Sequence, residues 1–151
     1  MWFSKNKADK SNRAASSDLT TKATTKPPTK SVGDAAEALA LAYLKRAGLR
    51  PVASNYRTPG RGGGEIDLIM NDADGTLVFV EVRQRASTSH GGAGASISAV
   101  KQQRIVFAAR HFLTRYKTLP PCRFDVVLIH GELHSAVPPE IEWLRSAFDA
   151  F

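Results

Sequence analysis

Apolar residues recur at helical spacing early in the chain, where Ala40, Leu41 and Leu44 form one stripe with Glu37 among them. This pattern predicts a first helix over residues 34–47, capped by Ser31 or Asp34 and closed by Gly48. Residues 55–57 read as a short extended piece, and the run Pro-Gly-Arg-Gly-Gly-Gly at 59–64 as a turn. The spacing then changes to that of strands. Residues 65–70 and 76–84 form two arms joined by Asn-Asp-Ala-Asp-Gly at 71–75, which predicts a β-hairpin. Beyond a second glycine-rich loop at 91–94, Ser98 opens a helix running to about residue 116, with Ile105, Ala109 and Phe112 buried. Residues 123–130 are a β-branched strand, 141–144 a short strand and 146–148 a final helical turn. The order α-β-β-β-α-β predicts an α/β domain, a mixed sheet flanked by helices.

The second hairpin arm is apolar on both faces, with Leu77 and Phe79 on one and Val78, Val80 and Val82 on the other, as expected of a central strand. Glu81 follows Phe79 on its face. On the first arm, Asp67 is expected to share a face with Glu65 and Ile69, while Ile66, Leu68 and Met70 take the other. Folding the hairpin sets Asp67 opposite position 79, 80 or 81, depending on loop register. The two carboxylates become neighbours roughly 5–8 Å apart at Cβ. Carboxylates that close repel unless a proton or a divalent cation lies between them. Mg²⁺ typically takes one or two carboxylates and leaves its other positions to water and phosphate oxygen, an arrangement suited to phosphodiester hydrolysis. The alternative pairs Glu81 with Arg83 or Arg85 at a solvated strand end, as is common for a Glu-x-Arg on a sheet.

Two further polar residues interrupt apolar stripes. Glu37 lies near the start of the first helix, where it either stabilises the helix end or points at a buried site. Gln102 lies at the N-terminal end of the second helix's stripe. Beside it Lys101 and Arg104 line other faces, so this helix can offer its positive end and a basic flank to a phosphate backbone. Arg61, in the glycine-rich turn, is free to touch a phosphate. That turn lacks the Lys-Ser/Thr of a nucleotide P-loop. His90, His111, His130 and His134 show no metal-ligand spacing, Asp125 is expected to support Arg123, and Trp143 to pack.

Charge adds one distinction. The net +7 is concentrated in residues 1–30, which hold seven Lys/Arg against two Asp, whereas residues 31–151 hold fourteen against twelve. The first thirty residues have too few apolar side chains to offset the entropy of ordering them, so they are expected to be a disordered basic tail on a single domain at 31–151. A basic tail attracts phosphate of any kind, including nucleic acid and an anionic membrane surface. No apolar run is long enough to span a membrane, no secretory signal is evident, and a lone Cys122 fits a reducing compartment.

From Gly33 to Phe148 the chain resembles the YraN-like uncharacterised protein family of predicted endonucleases, in the PD-(D/E)XK nuclease superfamily. The matching pieces are Gly33-x-x-x-Glu37, Tyr43-Leu44 with Gly48, and Asn55-x-Arg57. They continue with Gly64-Glu-Ile-Asp-Leu-Ile69, Leu77-Val-Phe-Val-Glu-Val-Arg83 with Arg85, Lys101-Gln102, Cys122-Arg-Phe-Asp-Val126 and Ile141-Glu-Trp143. The resemblance implies a restriction-endonuclease-like core related to archaeal Holliday-junction resolvases. Asp67 and Glu81 would be its two motif acids and Glu37 and Gln102 accessory site residues. The superfamily's signature lysine is replaced by Arg83, which stays protonated and so suits contact with phosphate rather than activation of water.

The expected function is Mg²⁺- or Mn²⁺-dependent hydrolysis of DNA, branched or damaged forms included, in the bacterial cytoplasm. Asp67, Glu81 and the Val82 carbonyl would hold the metal, Arg83 would contact the scissile phosphate, Gln102 would orient it and Glu37 would bind a second metal or water. Arg61, Arg85, Lys101 and Arg104 would contact nucleic acid. The unit pairs as a homodimer if it follows the junction-cutting enzymes. Two alternatives are a non-catalytic nucleic-acid-binding module that retains the fold, and an adaptor that uses the basic tail.

Overall fold

A computed structural model describes residues 29–85 and 97–150. Residues 1–28 of the expected tail and the glycine-rich loop at 91–94 lie outside the described residues. The elements run α1 (Thr29–Arg46), β1 (Arg50–Arg57), β2 (Glu65–Asn71), β3 (Leu77–Arg85), α2 (Ala99–Leu113), β4 (Cys122–His130) and β5 (Glu140–Phe148). They form one five-stranded sheet in the order β1-β2-β3-β4-β5, antiparallel except for the parallel β3–β4 pair, whose crossover contains α2.

The central strands β2, β3 and β4 are buried on both faces because a helix covers each. On one, Ala36, Ala40 and Leu44 of α1 pack on Leu68, Met70, Val78, Val80, Val127 and Ile129. On the other, Ile105, Ala108, Ala109 and Phe112 of α2 pack on Ile69, Phe79, Phe124 and Val126. Phe79 stacks on Phe124 with ring centroids 5.3 Å apart and meets Phe112 edge-on at 6.2 Å. No described helix is long and apolar enough to cross a membrane.

The helix ends follow local chemistry. Gly48 has φ +102°, its N–H donates to Lys45, and the Leu49 N–H donates to Leu44, which closes α1 in a Schellman arrangement over the buried Leu44–Leu49 pair. The Ser98 hydroxyl accepts from the Lys101 N–H at 3.3 Å and caps α2.

Four expectations need correction. α1 begins at Thr29, five residues before the expected start, directly after Pro27-Pro28, a pair compatible with helix only at its beginning. β1 is a full eight-residue edge strand, because pairing with β2 stabilises a segment whose own pattern is weak. α2 ends at Leu113. Residues 146–148 are strand rather than helical turn. Phe148 pairs with Phe124 and stacks on its ring at 4.9 Å, and this long-range contact outweighs local preference.

A fifth correction bears on the site. Ile66 packs on the α2 side with Ile69, not on the α1 side with Leu68 and Met70. The two-residue alternation slips at Asp67. The neighbouring strand slips with it: Ala53 and Tyr56, three residues apart, both face α2, and Asn55 between them has φ +51°.

Candidate metal centre

The hairpin register runs from Asn71–Leu77 through Met70–Val78 and Ile69–Phe79 to Leu68–Val80, and pairing stops there. Asp67 and Glu81 are the next position on each arm. Of the three registers open in the sequence, the structure has the one that makes them facing residues. Beyond Val80 the ladder is replaced by a side chain: the Val82 N–H donates to Asp67 Oδ2 at 2.8 Å. The strands therefore separate at the acids, and both carboxylates are held in the sheet end at 9% and 8% exposure.

Burial and mutual repulsion set their protonation. Desolvation raises Glu81's pKa from 4.5 to about 7, the Asp67 charge adds to the rise, and Lys101 opposes it. Desolvation also raises Asp67, against the lowering effect of the Val82 N–H and of Lys101. With Glu81 protonated, the two carboxyls hydrogen-bond to each other.

Lys101 is the cation of this pair. Its Nζ lies 3.3 Å from Glu81 Oε2, which is otherwise buried without a well-directed hydrogen bond. Lys101 is thus turned toward the acids rather than set, as its sequence context suggests, on an outer face for phosphate. A signal for its inward direction was present, because Ile105, Ala108 and Phe112 follow it at i+4, i+7 and i+11. A lysine on a buried stripe requires a carboxylate.

The other expected site residues are distributed around this pair. Glu37, half-buried on α1, hydrogen-bonds Asn55, and desolvation with the nearby Asp67 charge raises its pKa. Gln102 is directed elsewhere: its Nε2 donates to the Ile97 carbonyl at 2.9 Å, which fixes the approach to α2. Arg83 and Arg85 continue β3 past Glu81, both half-buried, with Arg85 Nε enclosed without a hydrogen bond among the described residues. Arg61 is exposed at the tip of the glycine-rich turn, and Arg104 is exposed on α2.

That turn is pinned from beneath. Thr58 Oγ1 accepts from the Gly64 N–H at 2.7 Å, and the Thr58 N–H donates back to the Gly64 carbonyl at 3.0 Å. A side chain at Gly64 would meet the Arg104 carbonyl oxygen at 1.9 Å, so glycine is what lets β2 enter directly under α2. The turn thus fixes β2 against the helix that carries Lys101. Neither Thr58 nor Gly64 was singled out in the sequence as a positioning residue.

Asp125 is separate from this centre. It is fully buried on β4 and accepts from Arg123 Nε at 3.1 Å, Trp143 Nε1 at 3.0 Å and the Ser146 N–H at 2.9 Å. Arg123 also bonds Asp72 at 2.8 Å, so this network ties the hairpin loop and β5 to the sheet.

The donor set suits a hard divalent cation in one respect: two oxygen ligands, buried and mutually repelling, are held adjacent. Among the described residues no group of three or more His, Cys, Asp or Glu is close enough to hold a metal, so Asp67 and Glu81 would share the ion with non-carboxylate oxygens.

A mixed five-stranded sheet with a helix on each face defines this chain as an α/β protein, consistent with a restriction-endonuclease-like core. The model of the uncharacterised protein family UPF0102 matches residues 36–129. The chain is 64% identical over 156 residues to a UPF0102 protein of Polaromonas naphthalenivorans (strain CJ2), with 99% of each chain covered. It is 62% identical over 125 residues to a UPF0102 protein of Paracidovorax citrulli (strain AAC00-1), covering 83% of this chain and 87% of that one. The chain belongs to family UPF0102.

Proposed function

We propose that this protein is a metal-dependent endonuclease of the PD-(D/E)XK type that hydrolyses phosphodiester bonds in DNA, in the bacterial cytoplasm. The observation that carries the reading is the burial of Asp67 and Glu81 as facing residues at the point where the hairpin opens. Both acids would hold one Mg²⁺ or Mn²⁺. When bound, such an ion supplies a Lewis acid for a phosphate oxygen and an acidified water as nucleophile.

The chain's own residues do the rest. The Val82 N–H fixes the Asp67 carboxylate, leaving its second oxygen to the site. Lys101 balances Glu81 in the metal-free protein. Its ammonium is then close enough to steady the charge on a phosphate oxygen, a role that Arg83 two residues along β3 can share. Lysine also supplies the titratable amine that Arg83 lacks. Arg61 and Arg104 would contact the backbone away from the scissile bond.

A second reading, a nucleic-acid-binding module without chemistry, is favoured by one observation: Lys101 already offsets the Glu81 charge where a cation would. Cleavage assays on single-stranded, duplex and branched DNA with Mn²⁺ separate the two. The nuclease reading expects cutting by wild type and none by Asp67→Ala or Glu81→Ala. DNA binding that survives both substitutions, with no cutting of any form by wild type, would overturn it.

A further inference from the structure

Resting on the nucleic-acid reading, we infer that the outer face of α2 holds an unpaired nucleobase, with Phe107 as the stacking surface, so that the substrate is single-stranded beside the cleaved bond. Phe107 is 54% exposed at the middle of a helix whose Ile105, Ala108 and Ala109 are buried. It borders a depression of about 490 Å³ lined also by Gln102, Gln103, Arg110 and Asp149. None of this lining belongs to the acid pair.

The chemistry of the lining selects the occupant. An aromatic face beside an arginine is what a stacked base requires, and the Gln103 amide and the Asp149 carboxylate match donors and acceptors on a base edge. The outer side of α2 contains Arg104 and Arg110, and the helix has no acidic residue, so the surface around Phe107 complements a polyanion. A second copy docked face to face here would set Arg104 and Arg110 against their own counterparts. An acyl chain would bury Gln103 and Asp149 against hydrocarbon. Bases within a duplex are stacked on each other and present no free face, so the site discriminates for unpaired strands.

Phe107 lies six residues beyond Lys101 on α2, about 9 Å along the helix axis. Gln102 on its rim is the neighbour of Lys101, which touches Glu81. A base held against Phe107 therefore belongs to a nucleotide close to the one whose phosphate reaches the acids.

Fluorescence anisotropy of the full chain with an oligothymidylate and with a duplex of equal length, at one fixed salt concentration, tests this. Phe107→Ala is expected to weaken single-strand binding by about 5- to 150-fold and to leave duplex binding within about twofold. Phe107→Trp should retain binding, and its indole emission should be quenched by the strand beyond any change in wild type. If wild type binds both probes and Phe107→Ala weakens neither, or weakens both equally, the base site is overturned and the nucleic-acid reading stands. If wild type binds neither probe, both fall. A Phe107→Ala variant that changes sedimentation instead of affinity assigns the face to a second copy and also overturns the proposal.

Discussion

Asn55 on β1 faces Asp67 on β2, between the paired positions Ser54–Leu68 and Tyr56–Ile66, and at these two residues both strands exchange the faces they present. Asn55 has φ +51°, a conformation that asparagine tolerates better than most residues, and its side chain bonds Glu37. The distortion that turns Asp67 out of the alternation is therefore shared with the strand that holds Glu37.

The Asn55 pair of substitutions separates its two roles. Asn55→Gly keeps the left-handed backbone and loses the hydrogen bond; Asn55→Ala loses both. Thermal melts should place Asn55→Ala about 1–2 kcal/mol below Asn55→Gly. Both should raise the pKa of Glu37 above its already raised value, because Asn55 is the group that lowers it. Carboxylate NMR would check the second point.

Glu81 makes the metal-free protein less stable as pH rises. Its pKa is about 7 in the folded state against 4.5 ordinarily, so between these values the folded chain holds a proton that the unfolded chain has released. Stability is greatest below about pH 4.5 and falls through about pH 7, by on the order of 3 kcal/mol for Glu81 and Asp67 taken as a pair. Glu81→Gln should flatten that window in urea titrations at pH 5 and pH 8. The full slope surviving in Glu81→Gln would assign it to other groups.

Lys101→Met removes the ammonium that lies 3.3 Å from Glu81 Oε2. Glu81 should then titrate above about 7, because Lys101 is what lowers it against burial and Asp67. Infrared detection of the Glu81 carboxyl across pH 6–9 reads the shift. An unchanged midpoint would mean that Lys101 is a solvated surface charge.

Much of this was readable in the chain because the chemistry is local. The hairpin, its two acids and the closing glycine of α1 each follow from short-range spacing. The neighbours that set their environment do not. Ile66 changes face because Asn55, eleven residues earlier on another strand, takes a left-handed backbone. β5 runs to Phe148 because Phe124 offers a ring to stack on and Asp125 accepts the Ser146 N–H. Lys101 and Gln102 were assigned in reverse order of proximity to the acids. Ile105, Ala108 and Phe112 turn Lys101 toward the sheet, and the close seating of Gly64 on the Arg104 carbonyl holds α2 in that roll.

Asp125 illustrates the converse, a buried acid whose partners mark it as structural. Asp125→Asn should lower stability by about 1–3 kcal/mol, since the bonds from Arg123, Trp143 and Ser146 lose their charge assistance while Arg123 keeps Asp72. At a temperature where the variant is folded, the Mn²⁺ binding and DNA cleavage proposed for Asp67 and Glu81 should match those of wild type. Loss of activity without loss of fold would move Asp125 into the site.

If Asp67 and Glu81 together hold one divalent cation, Mn²⁺ titration followed by electron paramagnetic resonance at pH 8 should show one site in wild type. That site should be weakened tenfold or more by either Asp67→Asn or Glu81→Gln, and should weaken as pH falls below about 7, where Glu81 takes up its proton. Wild type that binds no Mn²⁺ at millimolar concentration, or variants that bind it as wild type does, would contradict the shared site.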